Sequence, residues 1–310
     1  MIFISIKTQE EKEDITKMLN LLNIEFLVLE RSWLQNLKLI RSYNQKKISL
    51  ILGSPSLKNR ILAKIFNIKF LAYLRNLHPD SNKLTSIPDW INFYLTKIGI
   101  KFNTINPYFA NGFLITSEVT NQFLEKRDVI NDNVSNIGSI WLNDIKSSMN
   151  KIDSDIIFFS QSFKEHGYYS AAREQIDLLK KVIEESEKVG KKVLLRKHPR
   201  DDFNYESKFK KLSIDSSKPS DFLKRISNKN ICISPYSTFI FEIMYLGAKI
   251  IPIGYQSTEE LNKCFRDAGI DYVFSSNFNL QTIEINKNYK NALDKFNYDL
   301  LKKTLHELLN

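Results

Sequence analysis

Cysteine, histidine and glycine are all scarce in this 310-residue chain, and each scarcity removes a class of chemistry. The two cysteines, Cys232 and Cys264, have no metal-ligand spacing and make no disulfide framework, so they read as core thiols in a reducing cytoplasm. Four histidines without a His/Cys cluster give no zinc site. Nine glycines form neither G-x-G-x-x-G nor a Walker A loop, which removes dinucleotide and P-loop chemistry. There is no G-x-S-x-G elbow for a hydrolase. No apolar run approaches the roughly 20 residues that span a bilayer. The opening "MIFISIKTQEEKED" lacks a basic n-region and turns acidic at once, so no signal peptide is expected. The net charge of +10 points to anionic partners. Its lysines are scattered, with no Arg-rich block or aromatic-basic pattern, so nucleic acid is not expected among them.

What is present is an alternation. Hydrophobic content of 43% and charged content of 26% describe a globular chain, and short β-rich runs alternate with helical periodicity, as in a parallel α/β sheet. Strands are expected at 2–6, 25–29, 48–54, 68–74, 112–117 and 133–138, with helices such as 8–22, 56–66 and 118–126 between them. Segment 75–111 is less regular and punctuated by Pro79, Pro88 and Pro107. The polar stretch 139–155 interrupts the rhythm, which then resumes. Strands are expected at 155–161, 191–197, 230–234, 248–254 and 271–274. Helices are expected at about 168–189, near Pro219, and at 237–247 and 257–268. The expected organisation is a Rossmann-like lobe over 1–150, a second over 151–285, and a C-terminal helix within 286–310 packing across the two.

Ligands of such sheets bind beyond the carboxyl ends of strands, and three unusual stretches fall there. In "VLLRKHPRDD" an apolar run ends in Lys197-His198-Pro199. The proline has no N–H and restrains His198 toward an extended backbone. Neighbouring cations lower a histidine's proton affinity, and a bound phosphate restores it, so the placement suits an anionic leaving group. A second His-Pro, His78-Pro79 in "NLHPD", sits in polar loop sequence and reads as a turn. In "SPYSTFIFEIMYLG" a strand ends at Ser234, and Ser237 or Thr238 opens an apolar helix. Such hydroxyls cap a helix, and the same geometry binds phosphate. Glu242 on this apolar helix needs a partner such as a sugar hydroxyl. In "FFSQSFKEHGYYS", Glu165 could take a proton from an acceptor hydroxyl, with His166 as the rival base and Gly167 allowing close backbone approach. The acid pair in "DSD" (153–155) precedes its strand, the wrong end for a metal site.

Taken in order, Glu165-His166-Gly167, Lys197-His198-Pro199 and Ser237-Thr238 with Phe241-Glu242 resemble the three motifs of bacterial sialyltransferases of GT-B fold. Those motifs are D/E-D/E-G, H-P and S-S or S-T. The similarity is to the lipooligosaccharide sialyltransferases of glycosyltransferase family 52 and to the polysialyltransferases. It covers about 155–255, with one departure, His166 at the second acidic position. The resemblance implies two Rossmann-like lobes facing a cleft, the first on the acceptor side and the second on the donor side. It also implies inverting transfer from CMP-sialic acid to a sugar hydroxyl of a surface glycan (lipooligosaccharide, O-antigen or capsule), without an essential metal or other cofactor. In that scheme Glu165 is the base, and His198 protonates or hydrogen-bonds the departing CMP phosphate. Gly167, Lys197, Pro199, Ser234, Ser237, Thr238 and Glu242 bind the donor, with Glu242 near the ribose. Other donors of related folds, CMP-Kdo, another CMP-nonulosonate or a CDP-polyol, are the alternatives within the enzyme class. A non-catalytic nucleotide- or glycan-binding lobe pair is the alternative outside it. The basic charge also suggests peripheral contact with anionic glycolipid or an anionic membrane leaflet.

Overall fold

A computed structural model of the chain describes residues 1–5, 9–29, 32–43, 49–54, 57–75, 110–125, 133–142, 145, 151–237, 239–283 and 294–309. Two compact units emerge: Met1–Asn143 together with Asp294–Asn310, and Asp144–Leu293. His78 and Pro79 lie outside the described residues. No helix among the described residues is long and apolar enough to cross a membrane.

The first unit runs β1 (Ile2–Ser5), α1 (Gln9–Leu21), β2 (Phe26–Val28), α2 (Trp33–Ser42), β3 (Leu50–Gly53), α3 (Leu57–Phe66), β4 (Lys69–Leu74), β5 (Gly112–Ile115), α4 (Glu118–Glu125) and β6 (Val134–Asn136). Its sheet has the order β2-β1-β3-β4-β5-β6, all parallel. β1, β3 and β5 are buried at every position, because parallel strands covered on both faces need apolar side chains on both. The final helix, α10 (Tyr298–Leu309), belongs to this unit and sends Leu301 and Leu305 into its core. The sequence predicts a helix over 286–309 packing across the lobes; the helix begins only at Tyr298, residues 294–297 being non-helical, and residues 284–293 lie outside the described set.

A backbone strap leads into α10. Asp294 N–H donates to Thr116 O (3.1 Å), Ser139 N–H to Asp294 O (2.9 Å) and Asn297 N–H to Ile137 O (2.7 Å). Asn136 Nδ2 donates to the Asp294 carboxylate at 2.5 Å. The strap passes so close to Gly138 that a Cβ there would lie 2.1 Å from Lys295 O, and Gly138 has φ +69°. Only glycine satisfies both conditions.

The second unit runs β7 (Ile156–Phe159), a 3-10 turn (Lys164–His166), α5 (Tyr169–Lys188), β8 (Val193–Arg196), α6 (Tyr205–Lys208), β9 (Ser213–Asp215), α7 (Pro219–Arg225), β10 (Ile231–Pro235), α8 (Phe239–Tyr245), β11 (Lys249–Gly254), α9 (Glu259–Asp267), β12 (Val273–Phe274) and a 3-10 turn (Ser275–Asn277). Its sheet is β12-β11-β10-β7-β8-β9, again all parallel. The chain winds from β7 outward to β9, then returns to the other side of β7 and winds outward to β12. The direction therefore reverses between β7 and β10, the place where open α/β sheets leave a crevice at their carboxyl ends. Asp153 and Asp155, the acid pair before β7, bond Lys192 through its ammonium (2.8 Å) and its backbone N–H (3.0 Å). They fasten the amino ends of β7 and β8.

Candidate functional site

The three stretches singled out in the sequence follow β7, β8 and β10, and these strands are neighbours in the sheet. Hydrogen bonds join the first two loops directly. His198 N–H donates to Ser160 Oγ (3.0 Å), and Asp202 N–H donates to Glu165 Oε1 (3.1 Å). Lys164 Nζ pairs with Asp202 at 3.0 Å. Beside them, the Phe159 ring at the end of β7 lies 6.0 Å from that of Phe239, the first residue of α8.

His198 is half-buried, and its turn is closed by Asp201 N–H donating to His198 O at 3.0 Å. Its Nδ1 accepts the Arg200 N–H at 3.2 Å, so the neutral ring carries its proton on Nε2. Burial, then the Arg200 guanidinium, hold its pKa below the ordinary histidine range; Asp201 opposes them, and His166 and Arg196 add to the lowering. His198 is thus a neutral Nε2–H donor at neutral pH, and an arriving phosphate would raise its affinity for a second proton.

Pro199 is exposed on the turn. Lys197 does not aim at open space: its Nζ donates to Phe203 O (2.9 Å) and lies 5.9 Å from the Tyr205 ring centre. Its role in the structure is to close the loop on itself. Arg196, just before it, is buried, donates to Asp215 Oδ1 at 2.5 Å and stacks over Phe222. Arg225 also pairs with Asp215. Burial would raise the Asp215 pKa, but Arg225 and Ser217 more than offset this and hold it below the usual carboxylate range.

Glu165 and His166 are exposed in the 3-10 turn, and Gly167 ends that turn at φ +83°, in the left-handed region. On the other side, Ser237 Oγ accepts the Phe239 N–H (3.3 Å), so it caps α8. A hydroxyl that accepts in this way can still donate to a ligand. Ser234 is buried and donates to Pro235 O at 2.8 Å. Glu242 is buried too. Thr238 lies outside the described residues.

Several residues passed over in the sequence hold the site together. Asp201 is buried; its Oδ2 accepts the Tyr205 O–H (2.7 Å) and its Oδ1 the Phe203 N–H (3.2 Å). Tyr205 in turn accepts from Gln175 Nε2 at 3.1 Å. Carboxylate oxygens of Glu165, Asp201 and Asp202 all fall within 4.8 Å of one another. Lys164, the Tyr205 hydroxyl and backbone N–H groups supply the positive ends that let them sit so close.

No family model matches the sequence, and no curated protein matches it. Solved structures do match the fold. The UDP-GlcNAc 2-epimerase of Methanocaldococcus jannaschii, solved with UDP-GlcNAc and UDP, aligns over 100% of this chain and 92% of its own, with a TM-score of 0.54 and 11% identity. The glycosyltransferase SnogD from Streptomyces nogalater aligns over 99% and 94%, also with a TM-score of 0.54 and 11% identity. The glycotransferase of kitacinnamycin aligns over 99% and 94%, with a TM-score of 0.50 and 10% identity. At such identity the likeness establishes architecture. The chain has the GT-B fold, two Rossmann-like units each built on a parallel sheet.

Proposed function

We propose that the chain is an inverting glycosyltransferase that moves sialic acid from CMP-sialic acid to a sugar hydroxyl of a bacterial surface glycan. One observation carries the transferase part. The loops bearing Glu165 and His198 are hydrogen-bonded to each other at the carboxyl ends of adjacent strands, beside the switch point of the sheet. The choice of CMP-sialic acid rests on the order of the three motifs.

In the reaction, the acceptor oxygen forms a bond to the anomeric carbon and its proton passes to the Glu165 carboxylate. The bond from the anomeric carbon to the phosphate oxygen breaks, and its electron pair stays on the phosphate. His198 Nε2–H faces the developing charge, with the Ser237 hydroxyl as a further donor. A hydrogen-bond donor and local cations stabilise a monophosphate leaving group without requiring a metal. Lys197 and Ser234 support the loops from beneath, since their polar atoms already serve the backbone.

Substituting His198→Ala or Glu165→Gln is expected to lower turnover by about 10²- to 10⁴-fold while nucleotide binding is largely kept. CMP release from CMP-sialic acid in the presence of a glycan acceptor checks this, and unchanged turnover in either variant would contradict it. A second assignment is favoured by the epimerase of the same fold: chemistry on a UDP-sugar. A donor panel that releases UDP or epimerises UDP-GlcNAc, without CMP release, would select it. We take the enzyme to work in the cytoplasm with peripheral contact to anionic lipid, driven by its +10 charge. Failure to float with anionic liposomes at low salt would count against that contact.

A further inference from the structure

The hydrogen bonds beneath the site close into a circuit. From Gln161, the backbone N–H donates to Gln175 Oε1 (2.8 Å), while Gln175 Nε2 returns to Gln161 O (3.2 Å) and also reaches Tyr205 Oη (3.1 Å). Tyr205 donates to Asp201 Oδ2 (2.7 Å), Asp201 N–H to His198 O (3.0 Å), and His198 N–H to Ser160 Oγ (3.0 Å), adjoining the starting residue. Gln175, Tyr205, Asp201 and Ser160 are all buried, at 2%, 0%, 8% and 2% exposure. Buried groups bonded at every step have one arrangement open to them, because breaking a link strands a polar atom away from water.

We propose that Asp201 is the positioning residue of the site: it locks the His198 turn to the β7 loop through this circuit and opposes the positive charge around the imidazole. The groups bearing on that imidazole are Arg200 in the same turn, Arg196 at the end of β8, His166 from the β7 loop and Asp201 itself. The Lys164–Asp202 pair and Glu165 lie at the junction of the two loops. Arg196 is committed to Asp215, and Asp201 is the acid among the groups acting on the ring. Its carboxylate is held by two protein donors, so it acts on His198 through field and geometry, without direct contact to substrate.

The catalytic meaning of this assignment rests on the transferase proposal, but its test needs no substrate. The titration of His198 is followed by NMR in the wild type and in Asp201→Asn, which keeps the side chain's volume and removes its charge. The His198 pKa is expected to move down by on the order of half a pH unit or more. An unchanged or raised value in the folded variant would overturn the proposal. Tyr205→Phe cuts the circuit while leaving the Asp201 charge, and serves if the first variant does not fold. Amide exchange at His198 and Asp201 is expected to quicken about tenfold or more, while helix α5 stays protected. Unchanged exchange at those two amides would equally overturn it. If both signatures appear and no CMP donor is turned over, the transferase proposal falls alone. If CMP turnover is found with neither signature, the positioning assignment falls alone.

Discussion

At the scale of single residues, the stretch "RKHPRDD" looks in sequence like a basic turn with two stray acids, and in the structure each member has a separate task. Arg200 contributes its N–H to fix the His198 tautomer, Asp201 anchors the turn from below, and Asp202 clasps the Glu165 loop. The neutral Nε2–H state of His198 leads to a linkage. A CMP phosphodiester analogue, which has no second phosphate ionisation, should bind more tightly as pH falls from 8 toward 6, with proton uptake. Calorimetry in buffers of different ionisation enthalpy measures this, and His198→Ala should abolish the dependence. The site's strand-end histidine and glutamate were legible because unusual residue types met apolar runs. Its supports were not. Neither Gln175 nor Asp201 carries a signal of its own in the sequence, and only pairing across distant segments reveals that both are buried.

A second residue-scale consequence lies in the first unit. Asp14 is buried beside Tyr73 (3.1 Å to its hydroxyl) and Arg75 (3.4 Å). Burial, only partly offset by Arg75, pushes its pKa up to about 6. Between the ordinary carboxylate value and about 6, the folded chain therefore holds a proton that the unfolded chain has released. Stability contributed by this group falls as pH rises through that window. Relative to Asp14→Asn, the wild type should gain about 1.4 kcal/mol of stability between pH 7 and pH 5, because the slope of about 1.4 kcal/mol per pH unit acts only below the folded-state value of about 6. Denaturant unfolding at the two pH values decides it, and equal differences would contradict the assignment.

At the scale of elements, the strap and its glycine make a local prediction. Gly138→Ala would need both a left-handed backbone and displacement of Lys295, at a cost on the order of 2 kcal/mol or more. Thermal unfolding should show a lower midpoint, and limited proteolysis should release α10 early; an unaltered cleavage pattern would show that the strap does not hold it. Most strands and helices could be read from apolar runs and 3.6-residue spacing, with ends displaced by a residue or two. β9 could not. Ser213–Asp215 holds one apolar residue, Ile214, and becomes a strand because β8 offers it an edge. The apolar face of α10 was legible, but not which unit it joins: that is fixed by Leu301 and Leu305 packing in the first core and by the backbone bonds of Asp294 and Asn297, pairings across distant segments that composition does not record.

At the scale of the whole molecule, the alternation of apolar strands and helices fixed the class, and the three strand-end stretches singled out in the sequence fall beside the reversal of winding at β7, with no glycine fingerprint among them. A nucleotide fold can dispense with that fingerprint if the phosphate is met by side chains on strand-end loops instead of a glycine-rich turn. The fold is shared by a UDP-GlcNAc epimerase and by glycosyltransferases, so the architecture alone selects no ligand, and the proposed CMP-sugar rests on the strand-end loops. The most direct measurement follows the His198 imidazole resonances during titration with CMP and, separately, with UDP. CMP should shift them saturably and raise the pKa of the ring, while UDP at the same concentrations leaves them in place. Perturbation by UDP with no response to CMP would contradict the assignment of this site to a CMP-sugar.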